Sequence, residues 1–174
     1  MLERSRLEVE RLPERFEDFY VKEYSAVVGL AYALSGSRSG AEDLAQEAFL
    51  AAYSDWHRIS GYEQPGAWVR RVVANRSVSS FRRRSAEAKA LALAALGQRT
   101  QIPDLGSSDP DFWNAVRSLP RRQSQVVALF YLEDLPIATV ATILHVSPGT
   151  VKRHLHDGRL SLGRRLTIEE EDEA

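Results

Sequence analysis

Two clusters of cationic and amide side chains dominate the chemistry open to this sequence. Thr150, Lys152, Arg153, His156 and Arg159 follow the turn His145-Val146-Ser147 and Pro148. Arg70, Arg71, Asn75, Arg76, Ser79, Arg82 and Arg83 lie in the stretch AWVRRVVANRSVSSFRRR, residues 67–84. Donors repeated at helical spacing suit phosphate oxygens and base edges rather than bond-making. No serine elbow, phosphate loop or helical HExxH accompanies them, so an enzyme is not expected. His154 and His156 do not make a metal site: two residues apart on a helix, they point roughly 200° away from each other. Nothing in the sequence asks for a cofactor. Zero cysteines exclude disulfides, thiolate zinc sites and thiol redox sensing within this chain.

The elements that must position these groups are helical, because apolar residues recur at three-to-four spacing. The patterning predicts helices near residues 13–34, 39–56, 65–84 and onward, 111–118, 121–132, 137–144 and 148–165. Ser147 is a candidate N-cap, and Pro148 fits the first helical position, where its missing N–H costs nothing. On a helical wheel Val151, Leu155, Gly158 and Leu162 form a buried stripe. Lys152, His156 and Arg159 form the stripe beside it, which Arg153 broadens. A short helix, a three-residue turn and such a second helix make a helix-turn-helix, whose second helix enters the major groove. A solvated basic helix is the bland alternative.

In residues 67–84 Arg71, Asn75 and Arg82 fall within about 40° of one another, opposite Val69, Val72 and Val73. Arg76 and Arg83 fall near the apolar side, which an ideal wheel does not explain. Tyr62, before Trp68, is an aromatic platform next to arginines, of the kind on which single-stranded bases stack. Core packing is the alternative for both rings.

At 174 residues the chain can form one medium core or two small ones. Residues 97–110, GQRTQIPDLGSSDP, have linker composition. The net charge of -1 conceals segregation. Four acids and no Lys or Arg occupy residues 41–57, six arginines and no acid residues 68–84, and five consecutive acids Glu169–Glu173. That acidic run is expected to be solvated disorder. No apolar run reaches the roughly 18 residues of a membrane span, and residues 1–17 lack a signal-peptide core. A cytoplasmic protein without membrane insertion is expected.

AEDLAQEAFLAAYSDW, residues 41–56, resembles the clamp-docking region of sigma factors. AWVRRVVANRSVSSFRRR resembles their promoter-melting region. Followed by LPRRQSQVVALFYLEDL and the helix-turn-helix, the order is similar to that of extracytoplasmic-function (group 4) sigma factors of the sigma-70 family, in the SigE-like actinobacterial branch. The resemblance implies two small helical domains, a sigma region 2 bundle and a sigma region 4 helix-turn-helix, on a flexible linker. Its divisions are a 1–15 extension, region 2 over 16–96, linker 97–110, region 4 over 111–166 and an acidic tail 167–174.

The resemblance further implies an alternative sigma factor that binds core RNA polymerase through its largest subunits and directs initiation at chosen promoters. Asp43, Leu44, Gln46, Glu47 and Leu50 would meet the polymerase. Tyr62, Arg70, Arg71, Asn75, Arg76, Ser79, Arg82 and Arg83 would handle the minus-ten element. Ser147, Thr150, Lys152, Arg153, His156 and Arg159 would read the minus-thirty-five element. Asp157 stands where the family commonly carries a base, which puts its DNA contact in doubt. An anti-sigma factor is an expected partner. The competing reading is a LuxR-like regulator, because SPGTVKRHL resembles the recognition helix of that family too.

Overall fold

The computed structural model describes residues 14–77 and 110–172, and every regular element among them is helical. Helix α1, Phe16–Ser35, ends at Gly36, whose φ of 70° is left-handed and whose N–H donates to the Tyr32 carbonyl at 2.8 Å. Glycine takes this left-handed φ without strain, and a Cβ there would also press on Arg117, 2.8 Å from its Nε. Ser37 then caps α2, Arg38–Ser54, by accepting from the Gly40 N–H at 3.3 Å. So short a connection makes the two helices antiparallel neighbours.

The inner face of α2 carries Ala41, Leu44, Ala45, Ala48, Phe49 and Ala52. Alanines at helical spacing let it lie close to α1, whose buried side includes Phe19, Val27, Leu30 and Leu34. Each large side chain fully buried here stabilises by about 1.5–3 kcal/mol. Aromatic rings close one end of the pair. Phe19 lies 4.7 Å from Trp56 and 6.0 Å from Phe49, ring centre to ring centre. The short α3, Trp56–Ile59, and the turn residues 60–64 lead into α4, which is helical over 65–77. Val69 and Val73 of α4 are fully buried, as the wheel predicts.

The second unit holds α5, Pro110–Ser118, and α6, Arg121–Val127, which runs on through a π-helical turn, Ala128–Leu132. The expected unbroken helix 121–132 therefore contains one wide turn, a feature that sequence period does not signal. Helices α7, Ile137–Leu144, and α8, Pro148–Asp172, complete the helix-turn-helix. His145 takes the left-handed position that ends α7, with φ 53°. The Ser147 hydroxyl accepts from the Thr150 N–H at 3.1 Å and so caps α8. Val151, Leu155 and Leu162 are buried, with Gly158 between them.

One expectation is corrected: helix α8 continues to Asp172, so the acidic run up to that residue extends the recognition helix instead of leaving it as disorder. Glutamate is a good helix former, and no proline interrupts the stretch after Pro148.

The two units lie against each other, with α5 and the π turn packed on α1. Arg117 of α5 donates to the Ala33 carbonyl at 3.2 Å, satisfying an orphan acceptor at the end of α1. Burial there holds the Arg117 guanidinium below its ordinary value, an effect that Tyr32 partly opposes.

Candidate nucleic-acid interface

The buried stripe of α8 fixes which way its cations point. With Val151 and Leu155 turned inward, Lys152, Arg153, His156 and Arg159 are exposed, and Thr150 is partly exposed beside them. Thr150 also shares a 2.8 Å hydroxyl contact with Ser147, which ties the cap to the first turn. Arg159 donates to the Tyr131 hydroxyl at 2.6 Å and lies 5.5 Å from that ring's centre. The π turn thus orients one cation of the reading face, a role that the sequence did not reveal. Asp157 sits 3.9 Å from Arg153 one turn away, within the cationic surface it was expected to weaken.

On α4 the polar residues divide. Asn75 and Arg76 are exposed and Arg71 is partly so. Arg76 finds a partner that explains its place on the wheel: it lies 2.7 Å from Glu47 of α2. Arg70 is different. Its side chain is only 12% exposed, and it is held by Glu23 of α1 at 2.6 Å and Glu133, beyond the π turn, at 2.7 Å. Burial works to lower the Arg70 value, but the two carboxylates outweigh it and leave the guanidinium raised. Burial pushes Glu133 up, against the pull of Arg70 and with the push of Glu23. Arg70 accordingly offers nothing to DNA in this arrangement. Ser79, Arg82 and Arg83 lie outside the described residues.

The turn before α4 holds Tyr62 by its hydroxyl, which accepts from Arg58 at 2.7 Å while the guanidinium stands 5.7 Å from the ring centre. Asp55 grips Arg58 from the other side, and that hydrogen bond keeps its carboxyl below the usual range. Tyr62 remains 36% exposed, enough to offer a stacking face, whereas Trp68 packs against the core.

On α2, Asp43, Gln46, Glu47 and Leu50 are exposed, and Leu50 is 65% so. Leu44, which the resemblance grouped with these contacts, faces inward as the amphipathic pattern of the helix allows. It is 3% exposed and packs inward, so it supports this surface without being part of it. Beside Gln46 and Leu50, an apolar groove of about 400 Å³ is lined by Phe16, Tyr20, Phe49 and Tyr53. An amphipathic helix with an acidic rim and an exposed leucine next to such a groove can receive a protein surface.

A helical unit with arginines and an exposed tyrosine, followed by a helix-turn-helix with a bare cationic face, defines a two-part DNA-binding protein of the transcription apparatus. Two family models match: Sigma-70 region 2 over residues 19–87 and Sigma-70, region 4 over residues 111–162. The ECF RNA polymerase sigma factor SigL of Mycobacterium tuberculosis is 30% identical over 160 residues, covering 85% of this chain and 86% of that protein. The ECF RNA polymerase sigma factor SigW of Bacillus subtilis is 26% identical over 151 residues, 79% of this chain and 81% of SigW. The sigma factor RpoE of Bartonella quintana, solved in complex with the anti-sigma factor NepR, shares the fold with a TM-score of 0.69 at 23% identity, over 88% of this chain and 97% of RpoE. The chain belongs to the extracytoplasmic-function RNA polymerase sigma factors of the sigma-70 family. Sigma-E factors of Streptomyces are among its relatives, in keeping with the SigE-like resemblance. It is an alternative sigma factor that directs promoter recognition, and it is not an enzyme. The LuxR-like alternative is not favoured, since the N-terminal half matches sigma region 2.

Proposed function

We propose that this chain works as a three-surface adaptor. Asp43, Gln46, Glu47 and Leu50 dock on core RNA polymerase, Tyr62 with Arg71, Asn75 and Arg76 engages the minus-ten element, and Thr150 to Arg159 of α8 reads the minus-thirty-five element. The observation that carries this reading is the division of exposed charge. The outward face of α2 bears Asp43 and Glu47, whereas Lys152, Arg153, His156 and Arg159 project together from a helix anchored by Val151, Leu155 and Leu162. Neutralising phosphates with such a face gives affinity without sequence, and Thr150 and Arg153 near the start of the helix supply sequence readout.

In this mechanism no bond is made or broken. A base leaving the stack near the minus-ten element would lie on the Tyr62 ring, and the stacking offsets the few kcal/mol of unstacking. Ser79, Arg82 and Arg83, which follow in sequence, are proposed to act at the minus-ten element with them. Arg70 is assigned to positioning instead of contact, given its two carboxylate partners.

The proposed divisions are a 1–15 extension, region 2 over 16–96, linker 97–110, region 4 over 111–166 and the acidic tail 167–174. No described helix is long and apolar enough to cross a membrane. The site of action is the cytoplasm, where the polymerase is. An anti-sigma factor belongs among the partners, as for the Bartonella quintana relative.

Co-elution of the purified chain with sigma-free core polymerase tests the docking surface. The native chain is expected to co-elute, and Asp43→Ala with Gln46→Ala to elute alone. Equal co-elution of the double variant would move the docking site elsewhere.

A further inference from the structure

The exposed cations of α8 are not held alike. Arg153 has the Asp157 carboxylate 3.9 Å away, largely in solvent. Arg159 is seated between two rings of the π turn, its guanidinium carbon 5.5 Å from the centre of the Tyr131 ring and 5.8 Å from that of Phe130. The rings meet edge to face at 5.1 Å, and Phe130 packs on the core, so the seat is anchored. The wide turn carries both rings to α8 directly after Leu129, which is fully buried.

This pair has donors left over. A phenol oxygen accepts through two lone pairs and donates one proton. The Arg159 Nε–H takes one lone pair of the Tyr131 hydroxyl at 2.6 Å. The O–H proton meets no acceptor among the described residues, and Tyr131 is 47% exposed. Arg159 is exposed too, with the N–H groups of both Nη atoms still to be satisfied. From this arrangement we infer that Tyr131 and Arg159 form a two-residue clamp on a single phosphate of the DNA backbone. The Tyr131 O–H donates to one non-bridging oxygen and an Arg159 Nη–H to the other. The clamp rests on the proposed reading of the minus-thirty-five element by α8, and it adds a contact from outside the helix-turn-helix.

Position and chemistry both favour a phosphate over a base edge. Residues at the start of a recognition helix reach the bases, and Arg159 lies about 14 Å further along the axis than Thr150, toward the backbone that flanks the groove. A cation beside a neutral hydroxyl donor matches the single charge and two acceptor oxygens of a phosphodiester. The seat also fixes the guanidinium before DNA arrives, which spares side-chain entropy that binding otherwise costs.

Holoenzyme reconstituted from the chain and core polymerase, titrated with a labelled duplex that carries the minus-thirty-five element, tests the clamp. Each backbone phosphate is replaced in turn by a methylphosphonate, which lacks the charge and one acceptor oxygen. Tyr131→Phe keeps the ring against Arg159 and should weaken binding about tenfold, the order of a hydrogen bond to a charged group. The slope of log affinity against log salt should not change, because no charge is lost. Arg159→Ala should weaken binding and lower that slope by about 0.9. At one methylphosphonate position, the same for both variants, the two losses should vanish. In the Arg159→Ala background Tyr131→Phe should still cost about threefold. A hydroxyl that merely orients Arg159 would cost nothing in that background, and such a result would overturn the clamp. So would a Tyr131→Phe loss that persists at every methylphosphonate position. Failure of the minus-thirty-five reading is told apart from these: affinity would then be indifferent to Lys152→Ala and to every methylphosphonate in the element, and the clamp would fall with it.

Discussion

Arg76 of α4 and Glu47 of α2 lie 2.7 Å apart, joining the two surfaces proposed for the minus-ten element and for core polymerase. Their side chains are 49% and 57% exposed, so water screens the pair and it contributes at most about 1 kcal/mol to stability. What it does is hold Arg76 off the apolar side to which the helical wheel assigned it.

Glu47→Ala should therefore act on binding more than on folding. The thermal midpoint is expected to move by less than about 4 °C. Affinity for core polymerase is expected to fall about tenfold, the loss of a central interface charge. Calorimetry on the free chain and a titration with labelled core polymerase separate the two effects.

Asp157 and Arg153 make a weak pair, 3.9 Å apart and largely in solvent. Removing the carboxylate with Asp157→Ala frees Arg153 and takes a negative charge off the reading face, so affinity for minus-thirty-five duplex DNA should rise about threefold. Lys152→Ala should weaken the same complex and lower the slope of log affinity against log salt by about 0.9 for the phosphate lost. Anisotropy titrations at several salt concentrations check both.

Gly158 lies where α8 crosses α6. A Cβ there would stand 3.1 Å from Val127 Cγ2, and Val127 is fully buried, so the core around it must absorb the shift. Overpacking costs about 1–3 kcal/mol, against roughly 1 kcal/mol regained from better helix propensity. Gly158→Ala should thus lower stability in denaturant titrations, and Gly158→Val more strongly, with duplex binding falling in step.

Protonation of Glu133 biases the contact between the two units. Burial raises the Glu133 carboxyl, with Arg70 from α4 pulling it down and Glu23 from α1 pushing it up. A raised carboxyl contributes stability that is full below the ordinary glutamate range and is lost as pH rises through the raised value. The chain should accordingly gain stability from this carboxyl on mild acidification, and Glu133→Gln, which mimics the protonated form, should lose that dependence. A pH series of thermal midpoints for the native and variant chains gives the result.

Much of the fold was legible because its causes are local. Ser147 and Pro148 marked the start of α8, and the spacing of Val151, Leu155, Gly158 and Leu162 marked its buried side. The exposed residues of α2 and α8 followed from the same periodicity. Other features depend on distant partners. Arg70 meets Glu23 and Glu133 across separations of 47 and 63 residues, so no window of sequence distinguishes it from its neighbour Arg71. Gln125 looks like an ordinary polar residue in an apolar run until α4 arrives beside it. The π turn that brings Tyr131 to Arg159 leaves no periodic trace.

Transcription reconstituted from purified parts tests the central claim most directly: the native chain, sigma-free core polymerase and a library of promoter fragments. Discrete start sites that need the chain, and that disappear with Asp43→Ala and Gln46→Ala together, are the predicted result. Core polymerase that neither binds the chain nor starts at any fragment in its presence would contradict it.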